Sequence, residues 1–191
     1  TIIPRNRARP YNMRKLVRLL VDDGDFFEVQ PEWGKTTIAV LARVGGRPVG
    51  IVANDPRLQG GAMSDASADK QGHFIELCDH FHIPVVFIAD VPGFMIGPQA
   101  EARGTLRHGM RAFWATYNAT VPIFSVVVRK NYGMAGQATA HSGRLNFRVG
   151  WPSGEWGSIP IEGGVDAAYR REIANAPDPD KRREEIEKEL S

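Results

Sequence analysis

Cysteine is almost missing from this chain of 191 residues, which contains a single thiol at Cys78. One cysteine excludes a disulfide framework and any metal or iron–sulfur site built from several cysteines. No apolar run reaches the ~18 residues of a membrane-spanning helix, and the first ten residues do not resemble a signal peptide. The net charge of +2 gives no indication of a nucleic-acid partner. These features predict a globular protein in a reducing compartment, and the missing initial Met indicates a fragment.

Side-chain catalysts are also scarce. The sequence has no Gly-x-Ser-x-Gly, no His-Glu-x-x-His, no phosphate-binding loop and no dinucleotide fingerprint. His73 and His80 are seven residues apart on one predicted helix, and we expect solvated or capped histidines there rather than a metal site. Cys78 lies on the apolar face of a predicted helix, which favours a buried structural thiol. Asp90 precedes a Pro-Gly turn and is expected to bind loop amides rather than to act as a general base.

Glycine, in contrast, is abundant, with 20 residues, and several of these glycines mark turns. The β-rich runs Thr36–Val44 and Pro48–Ala53 flank Gly45-Gly46-Arg47 and predict a hairpin. Upstream of it, the pattern predicts a helix over Arg14–Leu20 and a strand over Phe26–Gln30.

Helices and apolar strands alternate after residue 70, which is typical of crossover connections and a parallel sheet. Small and polar residues at Ala62–Asp69 predict a loop, and the charged segment from Asp178 predicts an exposed or poorly packed helix. The predicted elements between them are helices over Lys70–Phe81, Glu101–Tyr117, Met134–Ala140 and Val165–Ala174, and strands over Val85–Ala89, Ile123–Val128 and Leu145–Trp151.

Two apolar strands end in glycine-containing turns that lead into helices, at Asp90–Phe94 and at Lys130–Gly136. The first amides of a helix have no intrahelical acceptor, and glycine lets a substrate approach the backbone closely. Two such amides directed at one point stabilise a developing oxyanion. The two turns are therefore candidates for chemistry performed by the backbone.

Several motifs, in conserved order and spacing from about Ile3 to Val165, resemble one family. The chain is similar to the C-terminal half of the carboxyltransferase β subunits of biotin-dependent acyl-CoA carboxylases. The matching motifs are Asp22–Val29, Pro48–Asn54, Asp90-Val91-Pro92-Gly93-Phe94, Arg107-His108-Gly109, Arg129-Lys130-Asn131-Tyr132-Gly133 and Trp151-Pro152.

This resemblance implies an α/β, crotonase-like (ClpP/crotonase) fold, a spiral of βαβ units. We expect a carboxyltransferase C-terminal domain over residues 1–176 and a charged helical tail over 177–191 with an incomplete C-terminus. In the family, an N-terminal domain holds the acyl-CoA, and the active site forms between domains of neighbouring protomers. The implied partners are that domain of the same and a neighbouring protomer, the biotin carboxylase and biotin carrier subunit, and further copies of the chain, six-subunit rings being common. The expected compartment is the cytoplasm, or the mitochondrial matrix in a eukaryote, with no membrane and no nucleic acid involved.

The family's biotin-side oxyanion hole maps onto the backbone amides of Gly133, Met134 and Ala135, with Met in place of the usual middle Gly. Carboxybiotin is the implied cofactor, and an acyl-CoA is the implied substrate. Gly93 and Phe94 are expected to shape the cofactor pocket. Gly136 and Gln137 stand where the propionyl branch has Tyr-Asp, from which we expect a larger or less usual acyl group than propionyl.

Two other functions remain open at this stage. The isolated chain is a candidate for a non-catalytic binding and assembly module that docks a partner protomer and a biotinylated carrier. A stand-alone crotonase-type hydratase or isomerase is the other alternative, and it would need glutamate acid–base groups. Glu155 and Glu162 are the candidates for those groups, although stabilisation of turns is the favoured role for both.

Overall fold

A computed structural model describes residues 2–141 and 143–190 of the chain. Contacts divide the chain into two compact units, Thr1–Trp156 and Gly157–Ser191. The domain boundary at residue 176 that the family resemblance implies stays a prediction.

The first unit is built on a seven-stranded mixed sheet. Strands β1, β2 and β3 are antiparallel neighbours, β3 to β6 are parallel neighbours, and β7 pairs with β5 off this path. The elements in chain order are α1 (Met13–Leu20), β1 (Phe26–Glu28), β2 (Thr37–Val44), β3 (Arg47–Asn54), α2 (Asp65–His80), β4 (Val85–Val91), α3 (Pro98–Ala102), α4 (Thr105–Asn118), β5 (Ile123–Tyr132), α5 (Gly133–Gln137), β6 (Asn146–Gly150) and β7 (Glu155–Gly157).

The β2–β3 hairpin is confirmed, and its turn explains the two glycines. Gly45 and Gly46 have φ values of +58° and +76°, which a two-residue hairpin turn requires and side chains disfavour. The Asp22 carboxylate accepts hydrogen bonds from both amides, at 2.8 and 2.7 Å. The turn is therefore held by the backbone conformation of glycine and by a carboxylate from the preceding segment.

The predicted loop over Ala62–Asp69 was wrong, because α2 already begins at Asp65. Ser64 caps this helix and exchanges side-chain to backbone hydrogen bonds with Ser67. Small residues in the first turn allow the close approach of Gly34, at which an added Cβ would lie 2.7 Å from the Ala66 carbonyl oxygen. Residues that are typical of a loop thus form a helix because of close packing.

Other predicted boundaries also shifted. The predicted helix over residues 101–117 is two helices, α3 and α4, separated where Gly104 takes a φ of +70°. Strand β5 continues four residues past the predicted end, to Tyr132. It includes the polar residues Arg129, Lys130 and Asn131, which a hydrophobic pattern does not assign to a buried strand.

Two apolar layers pack against the two faces of the sheet in the first unit. Helix α1 covers one face, and α2 packs with α4 on the other, where Gly72 lies against Ala112. The first layer is formed around Met13, Leu16, Val17, Ile38, Val40, Ile51, Ile88 and Val128, and the second around Val52, Phe74, Ile75, Cys78, Val85, Phe87 and Ile123. This burial on both faces explains the continuous apolar runs within β3, β4 and β5.

In the second unit, the described residues form three helices, α6 (Ile161–Ala168), α7 (Arg170–Asn175) and α8 (Pro179–Leu190). The predicted single helix over Val165–Ala174 is thus divided between α6 and α7. The tail is helical as predicted, and one of its apolar side chains is packed in a core. Ile186 is buried in a small cluster with Val165 and Ile173. On the exposed side, the Arg182 guanidinium binds the Glu172 carboxylate at 2.7 Å.

Candidate functional site

The two strand-to-helix turns singled out in the sequence lie side by side. Strands β4 and β5 are parallel neighbours, so their carboxyl ends meet at one edge of the sheet. Phe94, after β4, and Ala135, after β5, belong to the same apolar cluster, together with Met63. The fold therefore brings together the predicted oxyanion-hole element and the predicted Gly93-Phe94 loop.

The turn after β5 contains all three predicted oxyanion-hole residues. Helix α5 begins at Gly133, which has a φ of +59° that only glycine adopts easily. The amides of Gly133, Met134 and Ala135 thus belong to the first turn, where N–H groups have no intrahelical acceptor. The Met134 side chain is 42% exposed, whereas Ala135 is fully buried. Met134 is accommodated without steric conflict because its side chain extends away from the core.

The turn after β4 is held by a short bridge to Met63, two residues before α2. The Met63 amide donates to the Gly93 carbonyl, and the Met95 amide donates to the Met63 carbonyl, both at 2.9 Å. The Phe94 ring packs directly on Gly109 of α4, where an added Cβ would overlap the ring. Gly93 has a φ of +139°, so glycine is required there by its backbone conformation.

Gly136 and Gln137 occupy different environments. Gly136 is buried, and an added Cβ would lie 2.9 Å from the Asn131 carbonyl carbon and 3.0 Å from Asn131 Oδ1. Gln137 is exposed at the end of α5. Glycine at 136 is thus required by close packing, while Gln137 is the side chain that faces outward.

Asp90 forms a buried ion pair rather than an available base. Its carboxylate accepts hydrogen bonds from Arg129 Nε at 3.0 Å and from the Lys130 amide at 3.1 Å. The guanidinium also donates to the Arg9 carbonyl at 2.9 Å and lies over the Tyr11 ring. The Lys130 amide belongs to strand β5 rather than to the predicted loop, and the ion pair with Arg129 was not predicted from the sequence.

Asp55 is likewise engaged by arginines. Arg14 Nη1 and Arg57 Nη2 each approach Asp55 Oδ2 to 2.7 Å. Burial by itself raises the pKa of this carboxyl, but the hydrogen bonds from Arg57 and the charges of both arginines outweigh it. The net pKa is therefore lowered, so Asp55 stays ionised and suits a structural role better than proton transfer.

Of the two glutamates of the hydratase alternative, Glu155 is engaged in structural contacts. Glu155 accepts a hydrogen bond from the Tyr132 hydroxyl at 3.0 Å and pairs with Arg7 at 3.2 Å. It therefore ties β7 to the residue that precedes α5. The side chain of Glu162 lies outside the described residues.

Cys78 and His108 both lie in structural surroundings. Cys78 is fully buried, and burial raises its pKa to about 12. His108 Nδ1 lies 2.9 Å from Asp69 Oδ1, a contact between α4 and α2. Within residues 2–141 and 143–190, no group of three metal-ligating side chains is assembled and no helix is long and apolar enough to cross a membrane.

Buried polar side chains behind α5 are the part of the site that sequence reasoning missed. Side chains of α2, α4 and β5 donate to the carbonyls of Ala138 and Thr139, which directly follow α5. These side chains are Gln71, Thr116 and Ser125, in that order. For Gln71 and Thr116, the signal in the sequence is a polar residue on a helix face that is otherwise apolar. That signal does not show what the side chain binds.

Comparison with known proteins agrees with this geometry. The carboxyl transferase domain matches residues 1–191, so the chain belongs to this family. The fold is the crotonase-like α/β fold of carboxyltransferases, as the resemblance implied. Among solved structures, the transcarboxylase 12S hexamer with methylmalonyl-coenzyme A and methylmalonic acid bound superposes with a TM-score of 0.87. It is 37% identical, over 98% of this chain and 36% of that chain.

Curated relatives are similar over nearly all of this chain. The carboxyltransferase subunit of propionyl-CoA carboxylase from Haloferax mediterranei is 37% identical, over 97% of this chain and 36% of its own length. The methylmalonyl-CoA carboxyltransferase 12S subunit of Propionibacterium freudenreichii subsp. shermanii is 39% identical, over 96% of this chain and 35% of its own. The chain thus spans little more than a third of the relatives it matches.

Proposed function

We propose that this chain supplies the biotin-side oxyanion hole of an acyl-CoA carboxyltransferase. The observation that supports it is the meeting of two strand-to-helix turns, with the first-turn amides of Gly133, Met134 and Ala135 at one edge of the sheet. Membership in the carboxyl transferase family, and relatives that act on propionyl-CoA and methylmalonyl-CoA, support the reaction class.

The residues present fit biotin, whose ureido oxygen is a hydrogen-bond acceptor. Biotin, when bound, carries the carboxyl group and provides the base for the acyl-CoA proton. The chain's own contribution is made through its backbone. Its first-turn amides donate to the oxygen on which negative charge develops, while Phe94 and Met63 limit the access of water beside them. The acids Asp90 and Asp55 are held by arginines, which agrees with a mechanism that needs no carboxylate base from this chain.

The remaining components belong to the rest of the enzyme. We propose that an N-terminal carboxyltransferase domain, of the same and of a neighbouring protomer, holds the acyl-CoA. A biotin carboxylase and a biotin carrier subunit would then deliver the carboxyl group within a cytoplasmic homo-oligomer, with a hexamer as the expected state. The hexamer in the transcarboxylase structure supports this assembly. Alone, the chain would be a binding and assembly module.

The acyl group is proposed to be larger or less usual than propionyl. Gly136 has no side chain, and Gln137 is neutral and exposed, whereas the propionyl branch has Tyr-Asp at these positions. Asn131 packs against Gly136 where a side chain would otherwise lie, so the proposal rests on Gln137, whose neutral amide replaces a carboxylate and changes the polarity. Preferred turnover of propionyl-CoA over longer or branched acyl-CoAs by the complete enzyme would contradict this assignment.

A proline substitution at residue 134 tests the role of the backbone amide. Met134 is the second residue of α5, where proline removes a donor without breaking an intrahelical bond. In the full carboxylase, Met134→Pro should lower kcat by about 100-fold, the effect of losing one oxyanion donor. Met134→Ala retains the amide and is the matched control, expected to stay within about threefold of the parent. Equal losses in both variants would show that the side chain, not the amide, matters.

A further inference from the structure

The proposed oxyanion-hole residues lie in a helix of only about one and a half turns, which is too short to be stable by itself. Helix α5 has five residues, Gly133–Gln137. Isolated helices of this length are unstable, and the last carbonyls of a helix lack intrahelical donors. Contacts with neighbouring elements must therefore stabilise α5.

Three neighbouring elements supply that support through buried side chains. The Ala138 carbonyl accepts a hydrogen bond from Gln71 Nε2 of α2 at 2.9 Å, and Thr116 Oγ1 of α4 lies 3.1 Å from the same oxygen. The Ser125 hydroxyl of β5 donates to the next carbonyl, that of Thr139. Gln71 and Thr116 are fully buried, and Ser125 and Thr139 nearly so.

Hydrogen-bond chemistry makes the direction of these contacts unambiguous. A carbonyl oxygen only accepts, so Gln71 must present its NH2 group to Ala138. The single proton of the Thr116 hydroxyl is shared between the Ala138 oxygen and the Ala112 oxygen, 2.9 Å away in its own helix. Thr139 adds a further link, from its hydroxyl to the Gly136 carbonyl at 2.7 Å.

We infer that Gln71, Thr116 and Ser125 are positioning residues for the oxyanion hole. They bind the carbonyls of Ala138 and Thr139, directly after α5, and thereby fix the orientation of the N–H groups in the first turn of α5. They act through the backbone and touch no substrate. The inference rests on the proposed function, because a fixed amide direction matters only if those amides bind an oxyanion.

The chain offers isosteric variants and a matched control. Gln71→Met and Thr116→Val remove a donor while keeping most of the side-chain volume, and Thr116→Ser keeps the hydroxyl. Thr105 lies on the same helix as Thr116, is also buried and also donates to a backbone carbonyl, that of Ala100 at 3.0 Å. Because this bond does not involve α5, Thr105→Val controls for the loss of a buried hydroxyl.

Each variant would be assayed for carboxyl transfer in the full carboxylase. Loss of one Ala138 partner should lower kcat about threefold, and loss of both should lower it about 30-fold, more than the product of the single effects. The KM for acyl-CoA should stay unchanged, and Thr116→Ser should restore the rate. Hydrogen–deuterium exchange over residues 131–140 should be faster in the double variant than in Thr105→Val.

The outcomes separate this inference from the proposed function. An active parent whose double variant turns over normally, or loses no more than Thr105→Val, would overturn the positioning role. A parent without carboxyl transfer would overturn the proposed function, while the exchange rates would still test whether these side chains hold α5. Failure of Thr116→Ser to restore the rate would also contradict the inference, because it would show that the hydroxyl is not the relevant group.

Discussion

Replacing Lys70 with Met should stabilise the protein at neutral pH. Lys70 lies on α2 with only 1% of its surface exposed, and its Nζ has no hydrogen-bond partner among the described residues. Burial lowers the pKa of this amine from its ordinary 10.5 to about 8, with the charge of Glu28 opposing the shift and that of Arg14 adding to it. Methionine is unbranched and fills the same space without a charge.

The size of the effect follows from this pKa. The difference between 10.5 and about 8 corresponds to about 3 kcal/mol of unfavourable free energy for keeping the amine charged in the folded state. Between pH 8 and 10.5 the unfolded chain binds more protons than the folded one at this residue, so the parent gains stability as the pH rises. Below pH 8 the penalty is fully present. The advantage of Lys70→Met should therefore be about 3 kcal/mol at pH 7 and should vanish toward pH 10.5.

Urea unfolding of the purified subunit at several pH values between 7 and 10 measures this difference. Lys15→Met is the control, because Lys15 is exposed on α1 and its loss should change stability by less than about 0.5 kcal/mol at every pH. A constant difference between parent and Lys70→Met across this range would refute the reasoning. So would a Lys70→Met variant that is less stable at pH 7.

Three further predictions concern packing, charge and thiol reactivity. Gly109→Ala should destabilise the protein by about 1–3 kcal/mol and displace Phe94, since the added methyl overlaps its ring. Thermal unfolding measures this loss, and an unchanged melting temperature would contradict the close packing. Arg129→Met should cost about 3–5 kcal/mol in chemical denaturation by leaving Asp90 buried and unpaired, and a smaller loss in Asp90→Asn/Arg129→Met than in the single variant is expected. Cys78, with a pKa raised to about 12, should resist iodoacetamide at pH 8 until the protein unfolds; fast alkylation of the native state would contradict this.

Local patterns in the sequence predicted the hairpin and the βαβ order because each depends on short-range physics. Paired glycines suit the turn between β2 and β3, and the apolar runs of β4 and β5 predict strands buried on both faces. The start of α2 was not predictable in the same way. Its small residues are common in loops, and they become helical here because Ser64 caps the helix and Gly34 packs closely on it.

The end of β5 was mispredicted for an electrostatic reason. Polar residues at 129–131 usually end a buried strand, but here Arg129 is neutralised by Asp90 of the adjacent strand β4. A partner 39 residues away in the chain gives no local signal. The same holds for Lys70, which by residue type alone belongs on a solvent-exposed face.

By itself, the sequence determined the family, the α/β class and the two glycine-containing turns, because these depend on motif spacing and on the backbone freedom of glycine. Only the tertiary structure decided that both turns lie at one sheet edge, that Met134 faces outward, and that Gln71 and Thr116 meet at the Ala138 carbonyl. These features depend on which helices and strands become neighbours when the sheet forms. Contacts of that kind join residues far apart in the chain, and no periodicity in the sequence encodes them.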